Sequence, residues 1–150
     1  MARNGMLTIG DLSRETDCKV QTIRYYETVG LMPEAERSPG NQRLYDRSAL
    51  RRLAFIRHSR DLGFPLEAIR ELLDLTDTPA DSCQAADAIA RAHLEQVEHR
   101  IARLQSLKAE LERMVAECAG GRIADCRVIE VLSDHSLCQC RTHVPAEPEL

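Results

Sequence analysis

The chain has no tryptophan and only five aromatic residues, Tyr25, Tyr26, Tyr45, Phe55 and Phe64. All five fall in the first 64 positions, so two regions of different character follow one another. No run of 18 or more apolar residues occurs, and none is therefore expected to span a membrane. Met1 to Ile9 contains no apolar segment long enough for a secretory signal, which points to a cytoplasmic protein. No Cys-x-x-Cys pair is present, and the cysteine spacing matches no iron–sulfur run, which argues against a redox enzyme or cluster protein. Neither a phosphate-binding glycine loop nor a nucleophile–base pairing stands out, so the chain is not read as an enzyme.

What is present is ordinary for a folded soluble chain: 150 residues, 43% hydrophobic and 29% charged. The six cysteines, in a reducing compartment, point to metal binding or thiol chemistry rather than to disulfides. Net charge is −4, yet its distribution is uneven. Between 41 and 60, six arginines face one acid, Asp46. That patch suits phosphate, while the second half of the chain is acidic.

Local signals give a mainly α reading. Thr8 with Asp11 three residues on forms a capping-box pattern for a short helix. After the polar turn Glu15-Thr16-Asp17-Cys18, a second helix from Val20 to Val29 stops at Gly30. Two short helices joined this way are a helix-turn-helix candidate. A loop from Pro33 to Asn41 leads to Arg43-Leu44-Tyr45, short enough for a wing strand. Asp46 or Ser48 caps a helix running to about Asp61, and Pro65 opens the next. This first region is read as 1–76, followed by a polar linker, 77–83.

A long helix, 84–117, comes next. Ala90, Leu94, Val97, Ile101, Leu104, Leu111 and Val115 fall three and four apart, with Lys108 in one seam position, which is a coiled-coil pattern. Cys83 stands just before this helix; Cys118 and Cys126 stand just after it. At 1.5 Å per residue the helix is roughly 50 Å long, so Cys83 and Cys118 of one chain cannot share a ligand. Two copies running antiparallel bring them end against end, which predicts a homodimer with a thiol site across its interface. The segment 118–134 is a loop and short apolar helix, and 135–150 a flexible tail carrying Cys138, Cys140 and His143 and ending in a Pro/Glu stretch expected to be disordered.

Several strings together resemble the MerR family of transcriptional regulators. They are Ile9-Gly10-Asp11-Leu12, Thr22-Ile23-Arg24-Tyr25-Tyr26-Glu27 with Gly30-Leu31, Arg43-Leu44-Tyr45, and Leu62-Gly63-Phe64 with Ile69-Arg70-Glu71-Leu72-Leu73. The likeness extends over residues 7–132. It implies a winged helix-turn-helix DNA-binding domain, a long antiparallel dimerisation helix and a C-terminal metal-binding loop. Cys118 and Cys126 match the loop cysteines of the metal-sensing branch. Cys83 matches the cysteine that sensors of zinc, cadmium, lead or mercury receive from the partner chain. The copper(I) sensors share the seven-residue spacing between loop cysteines but usually lack the Cys83 equivalent, so copper(I) stands as the alternative. Thiolates select soft ions in either case.

By position and resemblance, Gln21, Arg24 and Tyr25 are expected at the DNA from the second helix, with Tyr26 at the DNA in preference to packing under the helix, Arg43 and Tyr45 on the wing, and Arg57 and Arg60 at phosphates. His93, Cys138, Cys140 and His143 are candidates for accessory metal binding, and Cys18 is read as a small buried residue. The resemblance further implies promoter DNA with an over-long spacer, distorted on metal binding so that RNA polymerase holoenzyme engages both promoter elements. Metal-resistance or efflux genes would be activated. A cytosolic thiol metal buffer or chaperone is the rival of another class; it leaves the basic, aromatic first half without a role.

Overall fold

The computed structural model describes residues 5–80, 82–118 and 120–139. The chain divides into two compact units, Met1–Ala90 and Arg91–Leu150.

In the first unit, strand β1 (Leu7–Thr8) leads directly into helix α1 (Ile9–Thr16). The capping box is present: the Thr8 hydroxyl accepts from the Asp11 N–H at 3.2 Å, and the Thr8 N–H donates to the Asp11 carboxylate at 2.8 Å. The Thr8 hydroxyl also donates to the Asp11 carboxylate at 2.7 Å, and this bond with that from the Thr8 N–H holds the Asp11 carboxyl below its usual range. Thr8→Ala is expected to lower stability by about 1 kcal/mol in a urea titration, the usual effect of losing such a cap. Asp17 ends α1 in a left-handed conformation, φ 51°. Helix α2 (Val20–Thr28) follows and closes at Gly30, where φ of +73° favours a residue without Cβ.

Strands β2 (Glu36–Arg37) and β3 (Arg43–Tyr45) make a hairpin, and β3 also pairs with β1. The sheet is three-stranded and antiparallel, with Leu7 opposite Tyr45 and Glu36 opposite Leu44. Helix α3 (Arg47–Asp61) is capped by Asp46, whose carboxylate accepts from the Ala49 N–H at 2.8 Å. Helix α4 (Leu66–Thr76) begins one residue later than expected, with Pro65 as its cap and outside the helix proper. The helices and sheet enclose one core in which Leu12, Ile23, Leu31, Leu53, Ile56 and Ile69 are fully buried. Cys18 lies in that core, and burial pushes its thiol up.

Helix α5 (Gln84–Glu117) is continuous over 34 residues. In the second unit it is followed by a 3-10 turn (Ile123–Asp125), helix α6 (Arg127–Ser133) and a second 3-10 turn (His135–Leu137), which lies in the segment read as a tail. Met114 of α5 and Val131 of α6 are buried, as is Glu110, whose carboxylate is bonded to Arg113 and to the Gln139 N–H. The heptad stripe lies elsewhere on α5 and is bare: Leu94, Val97, Ile101, Leu104, Leu111 and Val115 are all exposed. An open apolar groove runs along it, lined by Leu104, Leu107, Leu111 and Val115. The described residues contain no helix long and apolar enough to cross a membrane.

Candidate nucleic-acid interface and metal centre

Helix α2 divides into two faces. Ile23 and Tyr26, three apart, turn into the core, while Gln21, Arg24 and Tyr25 stand on the exposed side. Tyr25 is half exposed, its ring 6.0 Å from that of Tyr26. Tyr26 itself is only 6% exposed, and burial raises its phenol pKa. It packs under the helix, and its place in the core corrects the expectation of DNA contact. Tyr45 is corrected in the same way. It is 2% exposed, and its hydroxyl donates to Glu27 Oε1 at 2.7 Å. Burial, with the nearby Glu27 carboxylate, keeps that phenol protonated.

Glu27 also receives Arg43 at 3.4 Å, so this one carboxylate joins α2 to the wing. Sequence reasoning passed over it, because an acid in a basic segment carries no signal of its own. Two arginines hold the chain just past this same C-terminal end of α2. Arg70 Nη2 donates to the Val29 carbonyl at 2.6 Å, and Arg52 Nε donates to the Leu31 carbonyl at 2.6 Å. The carbonyls at a helix C-terminus lack intrahelical partners, and these side chains from α3 and α4 supply them. Arg57 is paired with Asp61 at 3.2 Å, and Arg60 donates to the Phe64 carbonyl at 2.9 Å. Both reach solvent while holding the end of α3.

Cys83 is exposed in the first unit and lines an apolar groove of about 280 Å³ with Phe55, Leu72, Leu75, Pro79 and Ala86. Its carbonyl accepts from the Asp87 N–H at 2.9 Å, opening the first turn of α5. In the second unit, Cys118 and Cys126 are free thiols brought near one another at the two ends of the loop. Cys126 caps α6 in position though without a well-formed cap bond, and the N–H groups of Ile129 and Val128 hold its thiol below the usual range. A thiol so placed ionises more readily, which is the form that binds metal. Two adjoining soft donors fit one soft ion. Among the described residues no group of three or more Cys, His, Asp or Glu side chains is gathered to complete the set. His93 is half-buried on α5, and Cys138 is disulfide-bonded. Cys140 and His143 lie outside the described residues.

A helix-turn-helix with a wing, an exposed polar face on its second helix and a long helix leading to a thiol pair define a DNA-binding regulator. The chain belongs to the MerR family. Residues 7–76 match the family described as MerR HTH family regulatory protein, and residues 50–114 match MerR, DNA binding. The HTH-type transcriptional regulator ZntR of Escherichia coli (strain K12) is 42% identical over 130 residues, covering 85% of this chain and 92% of that protein. The crystal structure of the transcription regulator PbrR691 from Ralstonia metallidurans CH34, in complex with lead(II), is 40% identical with a TM-score of 0.74. The match covers 84% of this chain and 98% of that one. MerR from Bacillus megaterium MB1, in complex with mercury(II), is 29% identical with a TM-score of 0.62, covering 85% and 100%. The chain is a metal-responsive transcriptional regulator of this family.

Proposed function

We propose that two copies pair through antiparallel α5 helices and that Cys118 and Cys126 of one chain, with Cys83 of the partner subunit, hold a soft divalent ion. The observation that carries this reading is the thiol pair itself: two neighbouring free cysteines, one of them held below its usual range by the N–H groups of α6, with no third donor gathered among the described residues. The relatives support the divalent reading, since the solved structures named with a metal contain lead(II) and mercury(II). Cys83 has no task in a two-thiolate site. The thiol buffer reading leaves the exposed face of α2 unused.

Once bound, the ion supplies a bond that ties the loop thiolates to Cys83 of the partner subunit. The residues do the rest. Gln21, Arg24 and Tyr25 face the major groove of promoter DNA, and Arg43, Arg57 and Arg60 face its phosphates; phosphate contacts position the protein, while base contacts specify the site. Two-fold symmetry matches a pseudo-palindromic site. Distorting the DNA toward a geometry that RNA polymerase holoenzyme engages costs about 1–6 kcal/mol by elastic estimates, and differential affinity for the activating state must supply it. The protein acts in the cytoplasm, on genes for metal resistance or efflux.

The test is promoter activation in vitro, with zinc(II), cadmium(II), lead(II), mercury(II) and copper(I) titrated separately. Transcript rising with one or more divalent ions, with promoter DNA occupied in the absence and presence of metal, is the expected result. Response to copper(I) alone would overturn the three-thiolate site. Arg24→Ala is expected to weaken promoter binding at least tenfold, about the worth of one good side-chain contact to a base. Metal uptake, followed by the thiolate charge-transfer band, should be unchanged.

A further inference from the structure

The residues on either side of the two loop cysteines are ion-paired to each other. Glu117 is the last residue of α5 and directly precedes Cys118; Arg127 is the first residue of α6 and directly follows Cys126. Arg127 Nε meets Glu117 Oε2 at 2.7 Å, across a loop containing Gly120 and Gly121, both at positive φ. The pair does not stand alone. Arg113, one turn back on α5, holds both oxygens of Glu117 at 3.1 Å. Its Nη2 reaches Glu110 and the Leu137 carbonyl, the latter at 3.2 Å. Arg127 Nη1 also donates to Glu130 at 2.9 Å, within the first turn of α6. Charges therefore alternate from Glu110 through Arg113, Glu117 and Arg127 to Glu130. The chain of pairs fixes the end of α5 against the start of α6.

We propose that Glu117 and Arg127, with Arg113 orienting Glu117, are positioning residues that close the thiol loop before any ion arrives. This rests on Cys118 and Cys126 being the metal ligands. A loop with two glycines costs entropy to close, and holding its ends together in advance lowers what a ligand must supply. The latch fixes the distance between the two thiols without itself touching the ion.

The experiment uses the full chain without metal. Loop thiols and oxidised glutathione are equilibrated: Cys118 and Cys126 thiols plus one glutathione disulfide give the Cys118–Cys126 disulfide and two reduced glutathiones. The loop disulfide is quantified by peptide mass mapping, so other thiols do not enter. Arg127→Gln and Glu117→Gln are each expected to lower this equilibrium constant about fivefold, the upper range for a networked surface pair. Cadmium(II) affinity, read from the charge-transfer band against a competing chelator, should fall by a similar factor. Arg127→Lys should restore most of the loss. The double variant should lose no more than either single one, because each acts through the other. Single variants within twofold of the parent, or a double variant whose loss is the product of the two, would overturn the latch. The metal-ligand reading fails separately: a protein that takes up no cadmium(II) but shows the expected disulfide shifts keeps the latch and loses the ion.

Discussion

Cys83→Ser is expected to abolish the transcriptional response to divalent ions while the protein still dimerises and occupies its promoter. Serine is nearly isosteric with cysteine, and Cys83 is exposed where it lines a groove, so the substitution creates no core cavity. What changes is the donor. A thiol near an ion deprotonates and binds soft metals strongly, whereas a serine hydroxyl stays protonated at neutral pH and is a hard donor. Changing residues that merely support metal ligands costs about 10–100-fold in affinity, so loss of a ligand should exceed that. The half-maximal concentration for lead(II) or cadmium(II) in a transcription assay should rise by more than about a hundredfold. The loop thiols should still take up metal weakly within one chain. Uptake without activation is the informative result, because it separates holding the ion from reporting it across the dimer. An unchanged response to lead(II) or cadmium(II) would reduce the site to Cys118 and Cys126 and return the protein to the copper(I) type.

Local backbone chemistry made much of the fold legible. Thr8 and Asp11 announce a capping box by spacing alone, and Gly30 marks the end of α2 because few other residues adopt its φ. The seven-residue apolar repeat outlines α5, whose continuous run the structure places at Gln84–Glu117. Strands β1 and β2 escaped notice, since two residues carry no alternation to detect. The tyrosines show a different limit. Tyr25 and Tyr26 are adjacent and chemically identical, and only the helix register set by Ile23 turns one to solvent and the other inward. Tyr45 has the composition of a wing contact, but a carboxylate 18 positions away in sequence draws its hydroxyl into the core. The latch from Glu117 to Arg127 spans ten positions of irregular chain, beyond any helical spacing rule, so tertiary geometry alone reveals it. Cysteine positions could be read from the sequence; the lowered thiol of Cys126 could not, because it depends on N–H groups that converge only once α6 has formed.

The largest loss of function should come from substitutions that alter neither the exposed face of α2 nor the cysteines. Leu104→Glu combined with Leu111→Glu is expected to yield a monomer. Both leucines stand bare on α5, 58% and 60% exposed, in a stripe that continues through Leu94, Val97, Ile101 and Val115. A soluble monomer rarely displays such a contiguous apolar face, and heptad spacing suits it to a second helix. Burying one leucine contributes about 1.5–3 kcal/mol, and symmetry makes each substitution count twice. The replacement carboxylates would also have to leave water without a partner. Even at half the nominal burial, dimer dissociation should rise about 10²–10⁴-fold. Lys108, the polar member of the stripe, reaches Glu112 at 3.1 Å and so tolerates solvent without weakening this argument. Sedimentation should show a single chain mass at micromolar concentration. Promoter binding should collapse with it, because one helix-turn-helix reads only half of a two-fold site. Helix content by circular dichroism should stay near the parent in the first unit, whose core does not include either leucine. A variant that remains dimeric would show that another surface covers α5, and the antiparallel seam would have to be abandoned together with the thiol site it brings about.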